Sequence, residues 1–292
     1  MTDDAAPLIV GVGGATCSGK TTLSKHILRL LLASHTPSFI LHQDDFAPPE
    51  ATLPLHPESG ERDWDAPRTA IDYARMHETL RYIKTHRRLP PQFSSHDHLN
   101  KQPPCPIPSS QERRWIESFR DAAGDEGDEA GRRRRDVVLA DGFLLYYDAR
   151  CRDEIDVRLF LRVRRDMLLK RREERNGYAT AEGTVWQDPP GYFESVVWPA
   201  YVEAHRNVFV DGQLDSGAPA PPVPGQEQAD GGPIPDLVLL EGDEEAQPHS
   251  LPEPLRQEVQ HCLDAGEDVS VSMALMVETA CRAILEQLTA TR

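Results

Sequence analysis

The octet Gly14-Ala15-Thr16-Cys17-Ser18-Gly19-Lys20-Thr21 fits G-x-x-x-x-G-K-[ST], a set of residue types suited to nucleotide phosphates. Its glycines permit positive φ, so backbone N–H groups can curl around phosphate oxygens. Lys20 can reach the β- and γ-phosphates as a point charge, and the hydroxyl of Thr21, followed by Thr22, can bind Mg²⁺. A helix opening near Lys20 adds its positive dipole end to the same anion. Two carboxylate positions can complete the chemistry. Asp44-Asp45 follows the apolar run SFILH, and Asp141 follows VVLA. A carboxylate there can take a proton from an attacking hydroxyl, help worth about 10²–10⁴ in rate, or hold Mg²⁺. Strand alternation would point Asp44 and Asp45 apart, so only one faces the γ-phosphate. The competing reading makes the Asp pair a turn cap and Asp141 a turn former before Gly142.

A third group of candidates is the basic run Lys170-Arg171-Arg172…Arg175. Helical spacing puts Arg171 and Arg175 on one face with Arg172 beside them, where guanidinium forks can follow the charge of a transferring phosphoryl group. The plainer reading is a solvated face in which Glu173 and Glu174 pair with these arginines. A Gly/Pro-rich segment follows, as a closing lid would require.

These side chains need a scaffold, and the hydrophobic pattern supplies one. Leu8–Val12, Ser38–His42, Val137–Ala140, Asp156–Val163 and Leu237–Leu240 read as buried strands. Helices are expected after Lys20, from an N-cap at Asp65 to Lys84, over Arg164–Arg175, over Glu194–Val210 and through Pro252–Thr289. The alternation implies an α/β fold: a parallel sheet of the P-loop NTPase type, covered by helices on both faces, with an Arg-rich lid. In such a sheet ligands sit off the carboxyl ends of the strands, where the loop, Asp44-Asp45 and Asp141 all fall. One domain is expected over 1–292, with flexible insertions at 86–135 and 211–235. The first of these holds a brief helix at Gln111–Arg120, and the second is dense in Gly and Pro.

Composition removes several function classes. The net charge is −16, which disfavours a nucleic-acid partner, because a phosphate backbone needs a basic face. Five cysteines are scattered without a C-x-x-C pair, against a disulfide framework or a zinc site. No leader or membrane-length apolar run is present, so a cytoplasmic chain without a membrane partner is expected. The sequence does not give the oligomeric state, with a monomer as the default.

Taken together, GGATCSGKTT, QDDF, DWDAP, DGFLLYY, KRREER and DPPGYFESVVWPAY resemble the nicotinamide riboside kinases, within the uridine-kinase-like branch of P-loop kinases. The resemblance covers positions 8–65, 137–202 and 236–245. It implies ATP and Mg²⁺ as cofactors and a small riboside as acceptor. By that resemblance Asp44 is the general base, and Thr21 and Asp44, with Asp141, hold the metal. Lys20, Arg171 and Arg175 meet ATP phosphates. Asp45 and Phe46 line the riboside pocket, Asp65 accepts from ribose hydroxyls and Arg172 reaches the substrate. Trp64 matches one aromatic of the nicotinamide clamp. Trp186, with Gln187 beside it, or alternatively Tyr178, matches the other. A pyridinium ring is cationic, and Trp is its best π partner, worth about 0.5–2 kcal/mol. Two positions differ from the family pattern. Asp141 stands where Glu is expected, one methylene shorter, and the adenine side matches either Glu241–Glu244 or Val210–Gly212. A uridine or other nucleoside kinase, and a non-catalytic P-loop scaffold, are the competing functions.

Overall fold

The apolar runs become the strands of one all-parallel sheet. In the computed structural model, which describes residues 6–57, 60–95, 102–123, 135–174, 178–179, 185–222, 229–242 and 246–290 (of 178–179 and 185–186 the backbone alone), these are β1 (Leu8–Gly14), β2 (Ser38–His42), β3 (Val137–Gly142) and β4 (Val157–Arg162). A two-stranded hairpin, β5 (Tyr178–Ala179) and β6 (Val185–Trp186), precedes the last sheet strand, β7 (Leu237–Glu241). The sheet order is β2-β3-β1-β4-β7, every neighbouring pair parallel.

Strand alternation sends Leu8, Val10 and Val12 to one face, where they meet Leu23 and Ile27 of α1 (Lys20–Ala33). Ile9 faces the other side with Met76 and Leu80 of α2 (Tyr73–His86). Both faces are apolar because both are covered, the usual state of a parallel sheet. The remaining helices are α3 (Ser109–Ala123), α4 (Ala149–Asp153), α5 (Arg165–Glu173), α6 (Trp198–His205), α7 (Leu255–Asp264) and α8 (Val271–Ala290).

Several boundaries differ from expectation. Asp65 is not a helix cap. The Asp63 carboxylate instead accepts from the N–H groups of Asp65 (3.1 Å) and Ala66 (2.8 Å), closing a turn. The cap falls seven residues later, where the Asp72 side chain accepts from Arg75 N–H at 3.0 Å. The helix expected over Glu194–Val210 is a wide π turn, Phe193–Val197, running into α6, which ends at His205. The C-terminal helical stretch is split in two around Gly266, whose φ is 73°.

The stretches expected as flexible insertions are bonded into the fold where they are described. Within 86–135, α3 buries Trp115 and Phe119 in the same core cluster as β1 and α8. Its Arg114 and Trp115 Nε1 each donate to buried Glu278 of α8 at 2.8 Å. The α3 sequence is mostly polar, with its apolar contacts confined to one stripe, which is why composition alone suggested looseness. Residues 124–134 lie outside the described part. Within 211–235, Arg162 at the end of β4 donates to the Gly217 carbonyl at 2.5 Å, and Val210 N–H donates to Ala218 at 2.9 Å. Among the described residues no helix is long and apolar enough to cross a membrane.

Candidate active site

β1 ends at Gly14, whose φ is 134° and where an added Cβ would lie 2.3 Å from the Leu161 carbonyl oxygen of β4. Only glycine fits that crossing, and it turns the chain off the sheet. The loop then tightens. Cys17 takes a left-handed conformation (φ 57°), and Ser18 N–H donates to Ala15 carbonyl at 3.3 Å. Lys20 is buried, and its ammonium donates to the same Ala15 carbonyl at 2.7 Å. Thr16, Gly19 and Thr21 occupy the remainder of the turn and the first residues of α1. Thr22 donates its hydroxyl to Gln102 at 3.3 Å, a contact from the stretch between α2 and α3. A tight glycine turn, a helix start and a buried ammonium thus meet just beyond β1, which is the chemistry of an anion site.

The β2–β3 register pairs His42 with Asp141, so the two strand ends lie side by side. Beyond His42 the chain does not continue as a strand. Gln43–Phe46 forms a 3₁₀ turn, and Asp44 and Asp45 still point in different directions, about 120° apart around its axis. Asp45 is nearly buried and Phe46 fully so, while Asp44 stands in a crevice reached by water. Crowding by the surrounding protein raises the Asp44 carboxyl above its ordinary value. Asp141 adds to the rise, and Lys20 and then His42 oppose it. These four groups therefore share one electrostatic environment. His42 Nδ1 is 3.6 Å from Asp141 Oδ2, and that buried oxygen has no hydrogen-bond partner.

The donor set at Thr21, Asp44 and Asp141 fits Mg²⁺. This ion takes one or two carboxylates, keeps several waters and leaves positions for substrate phosphates. Among the described residues no group of three His, Cys, Asp or Glu side chains could cage a metal by itself. The unbonded Asp141 oxygen and the water-exposed Asp44 are the ligand types such an ion would use.

A cleft runs between the phosphate loop and α6. Ala15, Thr16, Asp65 and Leu168 line it, together with Phe143-Leu144 after β3 and Phe193, Val197, Trp198 and Tyr201. Asp65 is 8% exposed, and burial pushes its carboxyl up to about 6 against the pull of Arg172. Asp63, Asp188 and Asp44 reinforce the rise. The Asp63 turn frees Asp65 from capping, and the Tyr192 hydroxyl fixes that turn by donating to the Arg62 carbonyl at 3.1 Å. Arg172 is buried and grips Asp188 with two guanidinium nitrogens, Nη2 at 3.0 Å. Arg171 Nη2 lies 3.5 Å from the Gly242 carbonyl, at the end of β7.

Some sequence candidates are not brought to this cleft. Phe46 is completely buried against Phe93 (5.6 Å) and under the Arg75 guanidinium (5.0 Å), so it supports the wall instead of lining it. Trp64 is half-buried with its indole N–H enclosed, and it is absent from the cleft lining although its neighbour Asp65 is part of it. Gln187 is exposed. Arg175 lies outside the described residues, as do the side chains of Trp186 and Tyr178 and, of the adenine-side candidates, Asp243 and Glu244. Conversely, the aromatic wall of Phe143, Phe193, Trp198 and Tyr201 was not assigned from sequence. Its spacing i, i+4, i+5, i+8 from Phe193 marks one helical face, and that face also packs into a core cluster with Ala15, Val163 and Leu168. Trp198 and Tyr201 are in aromatic contact at 5.4 Å, and Arg165 covers Trp198 at 5.6 Å.

Comparison with known proteins adds to this geometry. Residues 9–180 match the model of the phosphoribulokinase/uridine kinase family. A nicotinamide riboside kinase of Schizosaccharomyces pombe is 37% identical over 71% of this chain and 83% of its own length. One of Eremothecium gossypii is 31% identical over 74% and 83%, respectively. A uridine kinase of Leuconostoc citreum is 27% identical over 58% and 69%.

Proposed function

This chain belongs to the phosphoribulokinase/uridine kinase family, and from that premise we propose that it transfers the γ-phosphoryl group of ATP to the 5′-hydroxyl of nicotinamide riboside, giving nicotinamide mononucleotide. One observation carries the reading. Asp44 lies within electrostatic reach of Lys20 and Asp141 on the phosphate side and of Asp65, the carboxyl that Arg172 opposes, on the acceptor side.

The 5′-oxygen attacks the γ-phosphorus in line. The new O–P bond forms as the bond to the β-bridging oxygen breaks, and the hydroxyl proton passes to the Asp44 carboxylate. A carboxyl raised above its ordinary value is the better base, because its basicity moves toward the working pH. Lys20 and the loop residues Gly14–Thr22 hold the donor phosphates, and Arg171 and Arg175 follow the charge that spreads over the γ-phosphoryl oxygens. Thr21, Asp44 and Asp141 would hold Mg²⁺, which would supply neutralising charge to the donor phosphates. Asp65 accepts from the ribose hydroxyls, with Asp45 nearby. Arg172, held by Asp188, reaches the substrate as part of a closing lid. The family resemblance, and not the cleft lining, assigns the cationic ring to Trp64 with Trp186 or Tyr178 and Gln187; a neutral uracil could not engage such aromatics through charge.

The shared core of β1, α1, α3 and α8 supports one kinase domain over the whole chain. A reducing, cytoplasmic setting is inferred from the scattered spacing of the five cysteines in the sequence, which holds no C-x-x-C pair. The second reading, a uridine kinase, draws on the family itself and on the Leuconostoc relative. A one-pot competition decides between them. Equimolar nicotinamide riboside and uridine with ATP and Mg²⁺ should yield predominantly the nicotinamide mononucleotide, and a uridine monophosphate majority would reverse the assignment.

A further inference from the structure

Gln43 is a polar side chain with no exposure at the point where β2 leaves the sheet. An apolar residue of the same length would fill the space without needing a partner, and a buried amide is costly unless it is hydrogen-bonded. Its carbonyl Oε1 accepts from the Leu144 N–H at 2.8 Å, and its Nε2 points to the Met76 sulfur at 3.8 Å. The stronger bond therefore leaves its own turn and crosses to the segment that follows β3. The fit is mutual. A Cβ on Gly142 would lie 2.4 Å from Gln43 Oε1 and 2.6 Å from its Cβ, so glycine at 142 makes room for this side chain. Asp44 is the residue after Gln43, and Asp141 is the residue before Gly142. The outer end of the same turn is fastened separately. Arg75 Nη2 donates to the Asp45 carbonyl at 2.6 Å, and Asp72 N–H donates to the Phe46 carbonyl at 2.9 Å.

We propose that Gln43 is a positioning residue for phosphoryl transfer: it locks the turn carrying Asp44 to the strand end carrying Asp141, fixing the proton acceptor at the reacting atoms. This rests on the kinase reading above, in which Asp44 takes the proton. The turn has anchors on either side of Asp44, and Gln43 is the one that ties it to the metal-side carboxylate. Without it, Asp44 would keep its chemistry and lose its place. Misplacement of about 1 Å can cost 10²-fold in rate.

The test measures kcat, the KM of each substrate, and ADP affinity by calorimetry for the wild type, Gln43→Met, Asp44→Asn and the double variant. Gln43→Met keeps the length and removes the acceptor. The expected result is a kcat lowered about ten- to a hundredfold with ADP affinity unchanged. In the Asp44→Asn background, Gln43→Met should then cost less than about twofold, because the residue it places is already disabled. Gly142→Ala pushes on Gln43 from the other side and should reproduce the pattern, so it decides the matter if Gln43→Met does not fold. Full additivity of the two substitutions, or a kcat within about twofold of wild type in both Gln43→Met and Gly142→Ala, would overturn the proposal. An unchanged kcat in Asp44→Asn alone would instead overturn the assignment of the base.

Discussion

Replacing Asp65 by Asn should make the protein more stable and its acceptor binding worse. The folded carboxyl titrates near 6 and the unfolded one near its usual 3.8, a difference of about two pH units. At about 1.4 kcal/mol per unit, charging Asp65 in the fold costs at most about 3 kcal/mol. The direction follows from proton binding. The folded state holds the proton more tightly, so stability is full below pH 4, falls as pH rises from about 4 to 6, and is level above that. Asn removes the ionisation, so the variant should exceed wild type by about 1–3 kcal/mol at pH 7.5, or several degrees in Tm. That gain should shrink to about a third of its full value near pH 4.5. Acceptor binding should suffer, because a charged hydrogen-bond acceptor is worth about 1.5–3 kcal/mol, or about 10–100-fold in riboside KM. For the same reason wild-type riboside KM should climb as pH drops below 6. The assay is thermal unfolding without ligand from pH 4.5 to 8, together with steady-state kinetics. A variant less stable than wild type at pH 7.5, a stability gap independent of pH, or an unchanged KM would refute a charge-penalised, substrate-facing Asp65.

Two further outcomes are expected. Trp64→Leu should raise the KM for nicotinamide riboside by about 2–30-fold, the span of a cation–π contact of 0.5–2 kcal/mol, and leave any turnover of neutral uridine near its wild-type value; steady-state kinetics on both ribosides reads this directly. Trp115→Ala should destabilise the protein by about 3–5 kcal/mol, as for a large core aromatic, and denaturant unfolding would measure a loss near zero if α3 were a peripheral insertion.

Much of this fold was legible because its strands are buried on both faces. Leu8–Val12 and Val137–Ala140 read as continuous apolar runs, and the phosphate loop needs the strand before it and the helix after it. The site was legible where chemistry and strand ends coincide, as at Lys20, Asp44 and Asp141. Other features depended on partners distant in sequence. The Asp63 turn, set by two backbone N–H groups, moved the start of α2 from Asp65 to Tyr73. The burial of α3 depends on Glu278, more than 150 residues downstream, accepting from Arg114 and Trp115. Phe46 looked like a ligand contact until Phe93 and Arg75 were found to enclose it. The aromatic wall at Phe193, Trp198 and Tyr201 was hidden for the opposite reason, since its spacing is also that of an ordinary buried helix.

The most direct measurement is a single-turnover reaction of wild type and Asp44→Asn with nicotinamide riboside at saturating ATP and Mg²⁺, the product followed by phosphorus NMR. Wild type should convert the riboside stoichiometrically to its 5′-monophosphate with release of ADP. The variant should form the same product about 10²–10⁴ times more slowly, the usual value of a general base. Absence of any phosphorylated riboside with the wild type, or equal rates for the two proteins, would contradict the assignment of this cleft.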